Sequence, residues 1–380
     1  MKNRVLSVLL ASCLLAVPAL SPSFVPDTVC ADVEEARTVT VDNLVFKVYS
    51  YSAYIADVVD KKVTSIKIPA SVEGAQVVTD PMTTGGIFSK CLNLENFEVE
   101  EDGGYTAIDG VLFDGTGKHL FSYPCGRKGS YVIPEGTTSI ERCAFCNAEQ
   151  LTELTIPESV QSVGVGAFHN CTSLEEIHGT IKGNNGNLFI HCHALKRIEF
   201  AEATTRQDAL LEELKLLDCP ALEEVIIPKS RSLSGLCEIQ DCGIAELVIP
   251  ELKYHSVLGV FDCPNLKKVT FLQSDFAINT PTLNLDSGFT VYGYESNHVL
   301  QDKCVEEGIE FIPIEYQTGD IDGNEEIDIT DVLALNQYLL GVYRPDSAGI
   351  ASADVDHNGK VDDADVLAIL KSVVGLETLE

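Results

Sequence analysis

The chain has 380 residues and a formal net charge of −32 at pH 7, and this length allows two or more hydrophobic cores. So acidic a chain repels phosphate backbones, and we therefore expect no nucleic-acid partner. Outside the N-terminus no apolar stretch reaches the roughly 18 residues that a membrane span needs, so we also expect no transmembrane segment.

The N-terminus has the pattern of a secretory signal. Two basic residues precede an apolar stretch from Val5 to Leu20, and small residues lead to a cleavage site after Ala31. We predict a signal peptide over residues 1–31 and an extracellular, secreted protein. The alternative is a lipoprotein cleavage box over residues 10–13, although the apolar stretch continues past its cysteine.

One short pattern recurs through the middle of the chain at spacings of roughly 22 residues. Each copy starts with an apolar residue and has another at its fourth place and mostly at its sixth, which predicts a short strand with one inward face. No single copy can bury its own apolar edge, so the copies should stack into a solenoid with a ladder of parallel strands. The copies begin at Leu151, Leu174, Leu195, Leu222, Ile244 and Leu266.

Three segments connect this pattern to a known family. Residues 156–177 (IPESVQSVGVGAFHNCTSLEEI), residues 105–145 and residues 289–314 resemble the BspA-like class of bacterial leucine-rich repeats. The resemblance implies a leucine-rich-repeat solenoid, which we place at residues 63–315, behind a strand-rich cap at residues 32–62. It also implies that the solenoid binds a protein or glycan ligand.

Two segments, residues 179–188 and residues 202–214, fit the repeat pattern poorly. Neither keeps the apolar spacing of the other copies, so the strand ladder should be irregular there. We expect these turns to bulge or to carry helical insertions.

The 13 cysteines of an exported chain would ordinarily suggest disulfides. Their spacing favours another role, because each repeat has one cysteine a few residues before the next strand. One thiol per repeat predicts a column of small buried residues, with a disulfide framework or reactive thiols as the alternative. We assign to this column Cys91, Cys146, Cys171, Cys192, Cys219, Cys242 and Cys263.

Two further motifs contain cysteine. Cys143 and Cys146 form a CxxC pair, but a redox pair is expected at a helix start after a strand, and Cys146 is already assigned to the column. Neighbouring side chains in a strand or turn point apart, so we expect no metal site at His191-Cys192-His193.

The strand residues that face away from the core form an acidic strip with basic residues at one repeat and at the end. Such a face either binds a protein or a glycan or is merely solvated, and the lack of Trp disfavours stacking on sugars. No hydrolase motif is present, so we predict a non-catalytic protein; the alternative is a polysaccharide-degrading enzyme or a glycan-binding module. The outward residues include Glu153, Glu175, Glu176, His178, Lys196, Arg197, Glu199, Glu223, Glu224, Glu246, Lys267 and Lys268.

The sequence changes character from Gly319 onward. Two segments align without a gap, and each opens with a loop of about twelve residues that has oxygen ligands at places 1, 3, 5, 7, 9 and 12. This spacing is the EF-hand arrangement for a hard cation, so we predict two calcium ions, one in each loop. The predicted ligands are Asp320, Asp322, Asn324, the Glu326 carbonyl, Asp328 and Asp331 in the first loop, and Asp354, Asp356, Asn358, the Lys360 carbonyl, Asp362 and Asp365 in the second.

A helix should follow each loop, because apolar residues recur there at helical spacing and Gly341 and Gly375 end the two patterns. Each loop ends in Asp rather than Glu, and no helix pattern precedes the first loop. Both features resemble the type I dockerin modules of cellulosomal proteins, and we place the module at residues 316–380. The resemblance implies docking to a cohesin domain of a scaffold protein in a cellulosome-like complex. The predicted fold class is therefore α+β and multidomain, with the solenoid followed by a small all-α dockerin.

In dockerins, loop places 10 and 11 and the helix residues after them usually meet the cohesin. The two halves differ in polarity at these places, so we predict a single binding orientation rather than a two-fold mode. The candidate contacts are Ile329, Thr330, Asn336 and Gln337 in the first half, and Asp363, Ala364, Leu370 and Lys371 in the second.

The first loop should bind calcium more weakly than the second. Its sixth place is Glu325, whereas the second loop has Gly359 where the turn usually needs glycine, and a side chain in left-handed geometry costs about 1–2 kcal/mol. Calcium titration of Asp331→Ala and Asp365→Ala variants measures the loops separately, because each variant leaves one loop intact. Equal affinities in the two variants would contradict this prediction.

Overall fold

The computed structural model describes residues 36–79, 84–205, 209–253, 255–273, 281–294, 297–314, 317–324, 326–343, 345, 349, 352–356 and 360–379. The predicted signal peptide at residues 1–31 lies outside the described residues. None of the helices within the described residues has the length and apolar character required to cross a membrane.

Antiparallel strands open the described chain. Its first elements are β1 (Arg37–Val41), β2 (Leu44–Val48), β3 (Ser52–Val58), β4 (Ser65–Ile68), β5 (Ser71–Val72), β6 (Ala75–Val77), α1 (Thr84–Ile87) and β7 (Asn96–Val99). Buried residues alternate with more exposed ones in β2, which gives this strand one face toward the core. β1, β2 and β3 pair antiparallel, whereas β3 pairs parallel with β6 and β4 pairs parallel with β7.

A hairpin interrupts the repeat inside the predicted segment 105–145. The next strands are β8 (Tyr105–Ile108), β9 (Val111–Asp114), β10 (His119–Ser122), β11 (Gly129–Val132), β12 (Ser139–Ile140), β13 (Leu151–Thr155) and β14 (Ser162–Val163). β8 and β9 pair antiparallel across Asp109 and Gly110, whose φ values of 49° and 71° suit a two-residue hairpin turn. β10 pairs antiparallel with β9 and parallel with β12, so the chain winds in one sense from there.

The predicted solenoid of short parallel strands is confirmed. Among the described residues, every pairing after that between β9 and β10 is parallel. The remaining elements of this part are β15 (Glu176–His178), β16 (Phe189–Ile190), β17 (Arg197–Glu199), β18 (Leu210–Glu212), β19 (Lys215–Cys219), β20 (Glu224–Ile226), β21 (Ser232–Ser234), β22 (Leu236–Cys242), β23 (Glu246–Ile249), β24 (Val257–Phe261), β25 (Lys268–Phe271), β26 (Thr282–Leu285), β27 (Thr290–Tyr294), α2 (His298–Glu307) and β28 (Glu310–Ile314).

The inward side chains form one continuous core along the solenoid, from Val111 to Ile309. The residues predicted to face inward, such as Leu247 and Ile249, are buried. Aromatic rings add a second column, because Tyr123, Phe145, Phe168 and Phe189 follow one another at ring-centroid distances of 5.1, 5.7 and 5.3 Å. Each turn is therefore held mainly by side chains of its neighbours.

The cysteine column is present, with one correction to its membership. Cys171 and Cys192 are buried and lie three residues before a repeat leucine, whose amide donates to their carbonyl. In the preceding repeat the amide of Leu151 donates to the carbonyl of Ala148 instead, at 3.2 Å. Ala148, and not Cys146, holds the column place, and Cys146 is half-buried beside it. The cysteines in the described residues are free thiols.

Of the two alternatives expected for residues 179–188 and 202–214, bulges or helical insertions, the described parts contain no helix. Isolated parallel bridges and β18 are found there instead, with Ile181 paired to Phe200. A buried arginine replaces the missing repeat contacts: Arg231 donates from Nε to the Ala201 carbonyl at 2.7 Å and from Nη1 to the Gly183 carbonyl at 2.6 Å. The guanidinium thus joins the first irregular segment to Ala201, the residue just before the second one, and Arg231 is 1% exposed.

Replacing this guanidinium should destabilise the solenoid. Arg231→Met keeps the aliphatic stem but leaves two carbonyls without their donor, and each such loss costs about 1–3 kcal/mol when the group is buried. Lys229→Met is the matched control, because Lys229 is exposed and should change the free energy of unfolding by no more than about 0.5 kcal/mol. Denaturant unfolding of the full chain measures both variants, and equal effects would contradict the role given to Arg231.

Candidate calcium and docking site

Two helices of the C-terminal module (residues 317–379) begin in the same way. α3 (Ile329–Leu339) is capped by Asp328 and α4 (Asp363–Val373) by Asp362, and each cap forms a capping box with the aspartate three residues later. Both helices are followed by a glycine of positive φ, 69° at Gly341 and 74° at Gly375. The predicted loop–helix duplication is therefore present in the fold.

The two halves share one small core. Leu335 and Ile369 are fully buried at its centre, one from each helix. Ile327 and Val361, which stand at the eighth place of the two loops, pack against the same core and are partly buried. This packing ties each loop to the helix pair.

A buried carboxylate organises the first loop. Asp331 has no exposed surface, and its Oδ1 accepts from the amides of Ile321 at 2.6 Å and Asp322 at 3.2 Å. Its Oδ2 accepts from the amide of Asp328 at 2.9 Å. One side chain thus joins the start of the loop to its end, where the helix begins.

The second loop repeats this arrangement. Asp365 is also fully buried, and its Oδ1 accepts from the amides of Val355 at 2.8 Å and Asp356 at 3.3 Å. Its Oδ2 accepts from the amide of Asp362 at 2.9 Å. Because both loops make the same three contacts, their shared residue spacing accounts for the conformation, and no feature peculiar to one loop is needed.

The predicted first, third and twelfth places converge in each loop. Ligand oxygens of Asp320, Asp322 and Asp331 all lie within 4.8 Å of one another, and so do those of the corresponding residues of the second loop, Asp354, Asp356 and Asp365. Asn324 is exposed in the first loop, and its Oδ1 accepts from the Glu326 amide at 2.7 Å. Glu326 and Asp328 follow it in the first loop, and Lys360 and Asp362 stand at the corresponding places of the second. Three of the residues considered above, Glu325, Asn358 and Gly359, lie outside the described residues.

This donor set fits a hard divalent cation. The converging side-chain ligands are carboxylates, and calcium prefers six to eight oxygen ligands. Burial raises the pKa of Asp331 above its ordinary value, because a charge removed from water is costly unless a cation or donor faces it. A calcium ion supplies that positive charge, and its binding free energy then adds to the stability of the module.

The candidate docking residues lie on the surface of the module to different degrees. Ile329 is 58% exposed, and Asn336, Asp363 and Ala364 are exposed too, whereas Gln337, Leu370 and Lys371 are half-buried. Leu370 packs against the module core. Thr330 is exposed, but its hydroxyl lies 2.7 Å from both Asp322 Oδ2 and Asp328 Oδ1, so it also buttresses the first loop.

Sequence reasoning missed a set of exposed apolar residues on the same module. Leu333 is 57% exposed and Leu367 is 51% exposed, and they occupy equivalent places on α3 and α4. Leu340 and Val374, and likewise Val342 and Leu376, form two further equivalent exposed pairs. The sequence could have revealed them, because the same positions are apolar in both copies of the repeat. An apolar position that recurs outside the core-facing side of a helix indicates a second apolar face.

Much of the outward strand face of the solenoid is exposed, as predicted, but three of its four basic residues are paired with acids. Lys196 contacts Glu175 at 2.7 Å, and Arg197 contacts Glu224 at 2.7 Å on the neighbouring strand. Lys268 lies 3.8 Å from Glu246 and also over the ring of Tyr292 at 5.0 Å. The face therefore offers alternating ion pairs rather than a free cationic patch.

Neighbouring side chains of the histidine motif point apart, as expected: Cys192 is buried, and His191 and His193 are exposed on either side of it. The sequence did not indicate that both histidine rings would reach Asp218 of the next turn, each at 2.8 Å. The CxxC pair lies in a turn and not at a helix start. A hydrogen bond with Cys146 lowers the pKa of Cys143 to about 6.

Two protein families match parts of the chain. Residues 116–233 match the BspA type leucine rich repeat region, in 6 copies, and residues 318–373 match the dockerin type I domain. No curated protein matches the chain.

Solved structures of bacterial repeat proteins are also similar to the chain. A leucine-rich repeat protein from Eubacterium ventriosum is 21% identical over 48% of this chain and 54% of that one, with a TM-score of 0.35. A leucine rich cell surface protein from Faecalibacterium prausnitzii is 25% identical over 55% and 48%, with a TM-score of 0.38. A leucine-rich repeat protein from Bacteroides ovatus is 17% identical over 68% and 80%, with a TM-score of 0.34. The chain spans about half the length of the first two.

Removing calcium should reverse the pH dependence of the module. A pKa of Asp331 that is raised in the folded state means that the native module binds this proton more tightly than the unfolded chain. Without calcium, the contribution of Asp331 to stability is therefore gained as the pH falls toward that raised pKa and lost as the pH rises. The hydrogen bond with Thr330 lowers the pKa of Asp328, so its contribution, which has the opposite sign, is lost only when the pH falls below the ordinary pKa of an aspartate. With calcium, protons compete with the cation, and acidification should destabilise the module.

Hydrogen exchange of the intact chain tests this, with rates corrected for the intrinsic effect of pH. In chelator, protection of α3 and α4 should increase from pH 7 to pH 4.5, and with calcium it should decrease. Peptides of β22 and β24 are the internal control, because chelation should leave the solenoid folded. Loss of protection in α3 and α4 on acidification in chelator would contradict the prediction.

Proposed function

Since the chain carries a BspA-type leucine-rich-repeat region and a type I dockerin domain, we propose that it is a secreted, non-catalytic component of a cellulosome-like complex. The dockerin binds a cohesin domain of a scaffold protein, and the solenoid presents its surface to a protein or surface ligand. The single observation that carries the proposal is the duplicated loop, in which two buried aspartates make the same contacts.

The proposed organisation follows the chain from its N-terminus. It begins with a signal peptide at residues 1–31 and a cap at residues 32–62, followed by the solenoid at residues 63–315 and the dockerin at residues 316–380. Both families are typical of extracellular proteins, which supports secretion.

Type I dockerins bind calcium, and we assign two ions to this one. Each loop would hold its ion through the six ligands given for it above, with the side chains at places 1, 3 and 12 already converged. Calcium supplies positive charge to carboxylates that repel one another without it. The ion thereby fixes each loop in the shape from which its helix starts, so cohesin binding should depend on calcium.

The docking face that we propose is that of α3. Ile329 and Leu333 are both more than half exposed and lie one turn apart on this helix, with Asn336 and Gln337 one turn further on. At the equivalent places, α4 presents Asp363 and Leu367, so only one apolar side chain is available there. Because burying a carboxylate without a partner is costly, the α3 face should be the one that the cohesin covers.

A matched pair of substitutions measures the orientation. Leu333→Glu and Leu367→Glu place the same charge at equivalent, exposed sites, and neither residue is a proposed calcium ligand. On the full chain with calcium, Leu333→Glu should weaken cohesin binding by about 30-fold or more, as loss of an interface anchor does, and Leu367→Glu by less than about threefold. Calorimetry against a panel of type I cohesins, with calcium and then with chelator, gives these affinities.

The outcomes separate the orientation from the function. Loss of binding only in the double variant would contradict a single orientation and indicate a two-fold mode. Binding that persists in chelator would contradict calcium-dependent docking. No binding of the unsubstituted chain to any cohesin of the panel would contradict the proposed function itself.

A further inference from the structure

Two histidines and an aspartate meet on the surface of the solenoid, far along the chain from the calcium loops. His191 Nδ1 and His193 Nε2 each lie 2.8 Å from the same oxygen, Oδ2 of Asp218. The ligand atoms of the three side chains all fall within 4.8 Å of one another. The three side chains are 50%, 46% and 44% exposed, so an ion can reach them without any opening of the fold.

The solenoid fold itself causes this convergence. Cys192 is fully buried and anchors the turn, and the residues on either side of it both project to the surface. His191 and Asp218 hold the same place in successive turns, immediately before a column cysteine, with φ of 59° and 55°. The amide of His191 donates to the Leu217 carbonyl at 2.8 Å, which sets Asp218 directly beside the histidine turn.

The turn does not require this chemistry. The equivalent places before three of the other column cysteines are held by Asn170, Asp241 and Asp262, which adopt the same positive φ. Only the turn of His191 puts two imidazoles next to the carboxylate of the following turn, among the residues that the structure describes. A hydrogen bond to Asp218 would need only one histidine. The second histidine completes a set of three possible metal ligands around one point.

We propose that His191, His193 and Asp218 form a binding site for a transition-metal ion of the zinc class. Two imidazole nitrogens and one carboxylate are a donor set that suits Zn²⁺, Co²⁺ or Ni²⁺, whereas Ca²⁺ and Mg²⁺ prefer oxygen alone. In the metal-free form the ring N–H groups face Asp218. On binding, each ring proton moves to the other nitrogen or leaves, and the freed lone pair takes the ion.

Such an ion would clamp two turns of the solenoid. The two histidines belong to one turn and the aspartate to the next, and the chain between them includes the irregular segment of residues 202–214. Three protein ligands leave one position of a tetrahedral ion for water. The expected consequence is a metal-dependent gain in the stability of this part of the solenoid, following the mass action of a ligand that binds only the folded state.

The test is zinc titration of the untagged full chain in excess calcium, which keeps the carboxylate loops filled. Calorimetry should find one Zn²⁺ site, and Co²⁺ at the same site should give visible absorption bands of a nitrogen-containing, low-coordinate environment. His193→Gln and Asp218→Asn should each weaken zinc binding by more than about tenfold, because even residues behind the ligands cost about 10–100-fold when replaced. Asn suits the positive φ at residue 218.

Two controls keep the proposal falsifiable. His178→Gln removes an exposed histidine that lies 3.7 Å from Glu176, and Asp241→Asn alters the equivalent aspartate one turn further on; both should bind zinc as the unsubstituted chain does. Zinc should raise the melting temperature of the unsubstituted chain and of both controls, but not of the two ligand variants. Unchanged zinc affinity in His193→Gln and Asp218→Asn, or no zinc binding by the unsubstituted chain, would overturn the assignment.

Discussion

Each turn of the solenoid buries its apolar side chains against the neighbouring turns, and the rest of the structure depends on this constraint. The cysteine column, the aromatic column and the continuous core all consist of one small contribution per turn, repeated along the stack. A turn that departs from the pattern must find its contacts elsewhere. Arg231 supplies such contacts by donating to the carbonyl of Gly183, inside one irregular segment, and to that of Ala201, just before the other.

The C-terminal module meets the opposite difficulty, since it has too few residues for a large core. Its buried apolar cluster is small, with Leu335 and Ile369 at the centre. Two buried carboxylates, Asp331 and Asp365, take over part of the organisation by holding the loop amides and the helix starts together. The amides compensate part of the cost of burying these charges, and a cation in the loop would compensate more of it. The residues that fix the loops are therefore also proposed ligands of the ion.

Features that depend on residues close together in the chain could be predicted from the sequence, and features that depend on distant residues could not. Period-two strands, loop spacing and helix ends depend on neighbours in the chain, and these predictions agree with the structure. The assignment of Cys146 to the column failed because residue type was followed instead of the three-residue distance to the next leucine, which points to Ala148. For the two irregular segments, bulges and helical insertions both stayed open, because no local sequence pattern reveals the contacts of Arg231.

The histidine cluster shows the same limit at a candidate site. Its two histidines are adjacent in sequence apart from one cysteine, but the third member, Asp218, comes from the following turn. Only the stacking of turns brings it within reach, and the length of that turn is irregular in this chain. The proposed calcium loops could be predicted from the sequence, because a single loop supplies most of its own ligands at fixed places.

The duplication also sets how strongly the dockerin can prefer one orientation on a cohesin. Equivalent exposed pairs such as Leu333 and Leu367 contribute nearly equally whichever helix is covered, so they supply affinity without discrimination. Discrimination must come from places where the copies differ, above all Ile329 against Asp363. Burying an isoleucine rather than leaving it exposed is worth about 1.5–3 kcal/mol, and covering an unpaired carboxylate adds to the difference with the same sign. One position therefore supplies a preference of about tenfold or more, and the helices also differ in polarity at Asn336 against Leu370 and at Gln337 against Lys371.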